Sequence, residues 1–300
     1  MLHVTNGDAA LPSLRAAGVE GDLLPWRDVL HDGPVPAGLG PAELRVVRAT
    51  FVASDRELPQ QELLRDFEAR DARLEAAAGA GEEVTLWFEA DLYDVLQLLQ
   101  VLDRLPDDGP HSLVLVGEDE FRGVSDVRAD DLAALGRSAP RVTREQRGLA
   151  RSAWAAFRRP DPGGLCELAR GTPALPATGW ALHRLLQEYP AKDSGLSRTE
   201  RQLLEAIGSG ARTREAAFQI AVRAEERPFL GDASAWTVLD RLGALLEDGG
   251  LSGRGRAVLA GRESWTPADE RWIGGVRLPP GPAPWRWDPE AETLVLWAYR

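Results

Sequence analysis

The chain has 300 residues, 44% of them hydrophobic, enough to bury a sizeable core and to build more than one domain. Its formal net charge of -12, from 35 basic and 47 acidic side chains, disfavours nonspecific attraction to nucleic-acid phosphates or anionic lipid. No run approaches the roughly 18 apolar residues of a membrane span, the start MLHVTNGD lacks a signal pattern, and the lone Cys166 permits neither an intrachain disulfide nor a cysteine-based zinc site, so a cytoplasmic, membrane-free protein is expected.

In chain order, LHVT (2–5) predicts a strand that exits through Asn6, Gly7 and Asp8 into a short helix over 9–17, closed by Gly18. GDLLPW (21–26) reads as a second strand, placed at a sheet edge by Pro25, and RDVLHDGPVP (27–36) as a turn-rich loop. Residues 41–54 and 57–77 are helical in spacing, with Leu63, Leu64, Phe67 and Leu74 on one stripe. VTLWFE (84–89) is the third strand, and DLYDVLQLLQVLDRL (91–105) carries the clearest helical pattern in the protein. There Leu92, Val95, Leu96, Leu99 and Leu102 share a face, while Asp94, Gln97, Gln100 and Asp103 form a polar stripe. SLVLV (112–116) follows as a fourth strand. Strands alternating with helices predict an α/β, Rossmann-like, mainly parallel sheet over residues 1–125.

Residues 126–190 turn wholly helical, punctuated by GRSAPRVT, RRPDPGG and RGTPALPATG, and form a helical connecting module. LSRTERQLLEAI (196–207) opens on a capping-box pair, Ser197 and Glu200. Helices over 213–226 and 234–248, then a glycine-arginine turn in LSGRGRAVLAGRESW, predict a winged-helix-like domain over 191–300. The aromatic tail WIGGVRLPPGPAPWRWDPEAETLVLW adds a β hairpin expected to pack on that domain. Residues 190–300 carry 15 basic and 16 acidic side chains, leaving 20 and 31 to residues 1–189, so the acidity belongs to the N-terminal two thirds.

HVTNGD (3–8), LPWRDVLHDGPV (24–35) and WFEADLYDVLQLLQ (87–100), in that order, resemble the defining segments of the bacterial family known as domain of unknown function 1835. GLSRTERQLLEAI and RPFLGD (227–232) resemble the region that accompanies it. The family pattern has a glutamine after Asp94, where this chain has Val95, which removes one polar group from the helix face. The resemblance implies an architecture and a shortlist of residues; it implies no reaction.

Ligands of open parallel sheets bind beyond the carboxyl ends of the strands. Three polar clusters follow strand ends here: Asn6/Asp8, His31/Asp32 and Glu89/Asp91/Asp94. Each also has a structural reading. Asp8 suits an N-cap, Asp91 and Asp94 imitate a capping box, and His31-Asp32-Gly33-Pro34 suits a turn. His3, Trp26 and Trp87 read as core residues. Capping leaves Glu89 unexplained.

As a site, Asp8, Asp32, Glu89 and Asp91 offer hard oxygen donors for Mg²⁺ or Mn²⁺, with His31, oriented by Asp32, and Glu89 as catalytic groups, and Asn6, Asp8, Asp32 and Asp94 as ligand-binding groups. The expected function is a metal-assisted hydrolase or phosphoryl-transfer enzyme acting on a phosphorylated or nucleotide-like substrate. Neither GxGxxG nor GxxxxGK[ST] occurs, so no dinucleotide cofactor is expected. The rival is a non-catalytic ligand sensor whose winged-helix domain binds a protein partner, a second copy or DNA. Arg241 alone among the acidic groups of 232–248 weighs against DNA, while Arg254, Arg256 and Arg262 weigh for it.

Overall fold

The computed structural model describes residues 1–120 and 122–297. Strand β1 (Leu2–Asn6), helix α1 (Leu11–Ala16), edge strand β2 (Asp22–Trp26) and the two-residue β3 (Gly33–Pro34) open the chain. The helical hairpin of α2 (Pro41–Asp55) and α3 (Gln60–Gly79) leads to β4 (Val84–Glu89), α4 (Leu92–Arg104) and β5 (His111–Val116). The sheet order is β2-β1-β4-β5 and every pairing is parallel, so all four strands deliver their carboxyl ends to one edge. Pro25 lies on an outer strand as expected, because it has no N–H for a second ladder.

Strand alternation divides the sheet between two cores. Leu2, Val4, Leu86, Phe88 and Leu113 pack under α4 and the helices that follow it, α6 (Arg144–Phe157), α7 (Gly163–Leu168) and α8 (Pro176–Leu186). Trp87, Val114 and Val116 face α1 and α5 (Ala129–Arg137) on the opposite side. Helices α5 to α8 match the helical reading of 126–190, and each break falls where proline and glycine interrupt the pattern.

The C-terminal helices α9 (Arg198–Gly208), α10 (Arg214–Arg223) and α11 (Asp232–Arg241) enclose their own core, centred on Leu203, Leu204, Leu239 and Leu242. A hairpin of two-residue strands, β6 (Leu246–Glu247) and β7 (Gly250–Leu251), follows. The stretch read as a glycine-arginine turn is instead helix α12 (Gly253–Leu259), because Ser252 caps it through the Gly255 N–H; Arg254 and Arg256 therefore lie on a helix.

The tail forms two hairpins, β8 (Arg271–Gly274) with β9 (Val276–Leu278) and β10 (Trp285–Asp288) with β11 (Thr293–Leu296). It does not join the core of α9 to α11. Strand β8 pairs in parallel with β3, and Ile273, Val276, Leu278, Trp287 and Leu294 enter the core of the sheet and α4. Gly274 and Gly275 make that return path: a Cβ on Gly275 would stand 1.8 Å from the Arg158 carbonyl oxygen, and the Gly275 N–H donates to Phe157 O.

Candidate functional site

Asn6 ends β1 and Glu89 ends the neighbouring β4, and Asp94, one turn into α4, joins them. Its Oδ1 accepts from Asn6 Nδ2 at 2.7 Å and its Oδ2 from the Glu89 backbone N–H at 2.5 Å. Asp91 is the N-cap of α4, its Oδ1 accepting from the Asp94 N–H at 2.9 Å. The capping-box reading therefore holds for Asp91 alone; the Asp94 carboxyl bonds across two strand ends instead of returning to the cap. Glu89, which capping of α4 leaves unexplained, accepts the Val124 N–H at 2.8 Å and so holds the short 3-10 turn Val124–Asp126 against the sheet.

Burial pushes Asp91 up to about 8; burial and the charges of Asp91 and Glu89 carry Asp94 well above the carboxylate range, and burial also raises Glu89.

Asp8 stands apart. It is exposed and paired with Arg27, whose Nε and Nη2 donate to its two oxygens at 2.8 and 2.6 Å, and this bond lowers its pKa. It is not the N-cap of α1: that position is Ala10, and Asp8 contributes only its backbone carbonyl, to Leu11.

His31 is buried between Tyr93, centroids 5.9 Å apart, and Phe229, at 5.2 Å. Neither ring nitrogen has a hydrogen-bond partner, so Asp32 does not orient the imidazole. Burial lowers His31 to about 4, which leaves it neutral and a weak base. The backbone of Asp32 closes a turn with Val29 and accepts from Arg48, and its charge is felt at Asp55 and Arg241. Asn6, Glu89, Asp91 and Asp94 thus form one bonded chain, and Asp8 and Asp32 lie outside it. Among the described residues no group of three or more His, Cys, Asp or Glu side chains is arranged to hold a metal ion.

His3 is a core residue, as expected: its Nδ1 accepts from the Trp87 indole N–H at 3.1 Å and its Nε2 bonds the Glu20 carbonyl at 3.0 Å.

Sequence reasoning did not single out Asp28, Tyr93, Arg227 or Phe229. The polar stripe of α4 held a signal: Gln97 donates to the Asp28 carbonyl at 2.9 Å and Gln100 accepts from the Trp26 indole at 2.7 Å, both fully enclosed. Arg227 and Phe229 belong to RPFLGD, between α10 and α11. Arg227 donates to the carbonyls of Ala90 at 2.7 Å and Glu118 at 2.9 Å, across the exits of β4 and β5, and its guanidinium lies over the Trp180 ring.

The chain matches no family model, no curated protein and no solved structure among those compared. No helix among the described residues is long and apolar enough to cross a membrane.

Proposed function

We propose that this protein is a ligand-responsive regulator: its α/β unit senses a small molecule and passes the change to the C-terminal helices, which engage a partner protein. One observation carries this reading. The segment between α10 and α11 lies on the strand exits, with Arg227 on the Ala90 and Glu118 carbonyls and Phe229 against His31. A ligand that shifts loop 28–34 or the Asp94 bonds therefore acts on a segment tied covalently to α10 and α11. A second tie runs through α2, where Arg56 donates to Ser234 at 3.0 Å and Asp55 accepts from Thr237 at 3.2 Å.

We read α9 to α11 with the β6–β7 hairpin as winged-helix-like. Its charges favour a protein partner or a second copy over DNA. Arg241 is enclosed near Asp32, Asp55 and Glu200, Arg214 pairs with Asp240, Arg254 with Glu263, and Arg256 donates to the Leu251 carbonyl, so that of Arg254, Arg256 and Arg262 the last alone carries no such bond among the described residues. A metal-assisted enzyme would need Asp8 and Asp32 beside Glu89 and Asp91; Asp8 is paired with Arg27, and Asp32 lies outside the bonded chain of Glu89, Asp91 and Asp94. The three N-terminal motifs support placing the chain with domain of unknown function 1835.

Hydrogen exchange on full-length Asn6→Ala tests the regulatory reading. Faster exchange in 213–245, which Asn6 does not touch, is the expected result; loosening confined to residues 1–125 would sink it.

A further inference from the structure

Between α2, α3, α4 and α6 lies a cavity of about 90 Å³, lined by five arginines against three aspartates. Among the lining residues alone, positive charge is in excess. Within the lining the arginines share few carboxylates: Asp71 meets Arg45, Arg70 and Arg104 at 2.8 to 3.0 Å, and only the exposed Glu75, 3.0 Å from Arg104, and Glu68, 3.9 Å from Arg45, add to it from outside the lining. Arg48 is held by Asp28 Oδ1 at 2.8 Å.

Two atoms of the lining residues remain without hydrogen-bond partners, Arg45 Nε and Asp28 Oδ2. The first is a donor that needs an acceptor. The second is an acceptor, on a side chain only 1% exposed, that needs a donor. An ionised carboxylate oxygen repels an anion that has no proton and accepts a hydrogen bond from one that has. The space equals about three waters at roughly 30 Å³ each, enough for one small tetrahedral oxyanion.

We infer that this cavity binds inorganic phosphate as hydrogen phosphate, its oxygens facing the arginines and its hydroxyl donating to Asp28. Sulfate is fully ionised near neutral pH and has no proton to give, so Asp28 discriminates between two anions of almost equal size. A phosphomonoester is largely dianionic at pH 8 and lacks that proton too. The site is coupled to the rest of the molecule, since Arg48 also donates to the carbonyls of Val29, Asp32 and Pro34 and so holds the loop that carries His31. The assignment is independent of the regulatory reading: phosphate binding without any change in 213–245 would sustain this site and show that phosphate is not the regulator's ligand.

Calorimetry on the full chain at pH 8 tests it with three probes: inorganic phosphate, sulfate and glycerol 2-phosphate. Saturable phosphate binding is expected, with sulfate and the ester at least tenfold weaker. Arg45→Gln should weaken phosphate at least tenfold, and Asp28→Asn should erase the preference over sulfate. Absence of phosphate binding overturns the site, as does an Arg45→Gln protein that binds phosphate like the wild type. Equal affinity for sulfate overturns the role of Asp28, and equal affinity for glycerol 2-phosphate overturns the free anion as ligand. Should Asp28→Asn fail to fold, the wild-type comparison and Arg45→Gln still decide.

Discussion

The imidazole of His31 lies edge-on to the ring of Phe229, with centroids 5.2 Å apart and planes at 88°. The contact joins residues from opposite parts of the chain and keeps a titratable ring neutral. Removing Phe229 should therefore change both stability and titration. Phe229→Ala is expected to cost about 3 to 5 kcal/mol, the usual range for a buried phenylalanine, read by urea unfolding. In NMR titration His31 should rise from about 4 toward 6.5. In the wild type the unfolded chain takes up a proton below pH 6.5 that the folded ring refuses until about 4, so acidification through that window is destabilising. The variant should narrow the window; an unmoved His31 would show that Phe229 is not what buries it.

Asp91 acts in the opposite direction. Its folded pKa, about 8, stands above the ordinary 3.8, so between those values the native state keeps a proton that the unfolded chain has lost. This group's contribution to stability is present in acid and declines as pH rises toward 8, with a slope of at most about 1.4 kcal/mol per pH unit. Asp91→Asn keeps an oxygen for the Asp94 N–H and removes the titration. Its stability curve between pH 6.5 and 8 should be flatter than that of the wild type, with a gain at pH 8. A parallel pair of curves would refute the assignment.

Asn6 and Asp94 are 88 positions apart, and Asn6 Nδ2 donates to Asp94 Oδ1 at 2.7 Å. A double-mutant cycle with Asn6→Ala and Asp94→Ala should give a coupling of about 1 to 3 kcal/mol, as for a hydrogen bond to a buried carboxyl group. Coupling near zero in urea unfolding would mean that the Asn6–Asp94 bond does not help to hold the end of β1 to α4.

Gly275→Ala places a methyl group 1.8 Å from the Arg158 carbonyl oxygen, and backbone must move to admit it. A loss on the order of 3 kcal/mol is expected, with Trp287 becoming more exposed to fluorescence quenchers as the tail lifts. Gly253→Ala, which meets nothing within 4 Å, is the matched control and should be close to neutral.

Part of the site was legible in the sequence. Asn6, Glu89, Asp91 and Asp94 stand at strand exits, and a parallel sheet brings such exits to one edge. Reading Asp8 and Asp32 into the same set failed for a physical reason. A carboxylate at a strand exit takes whichever donor reaches it first, and Arg27 reaches Asp8, while the turn that carries Asp32 is bonded to Arg48 of α2 and its charge acts on Arg241 of α11. Asp28 comes from a loop and the cavity arginines from α2, α3, α4 and the end of α6, separated by long stretches of chain, so no motif announced them.

What the chain determined alone were its local elements: the apolar alternation of LHVT and VTLWFE, the 3.6-residue period of α4 and the cap at Asp91 depend only on neighbours a few positions away. The destination of the tail, the burial of the Gln97 and Gln100 stripe and the seating of Arg227 and Phe229 on the sheet were decided by the tertiary structure. Periodicity states which face of an element must be covered. It does not say by what, because burial of apolar surface has no direction, and buried polar groups bond whatever the packing brings within reach.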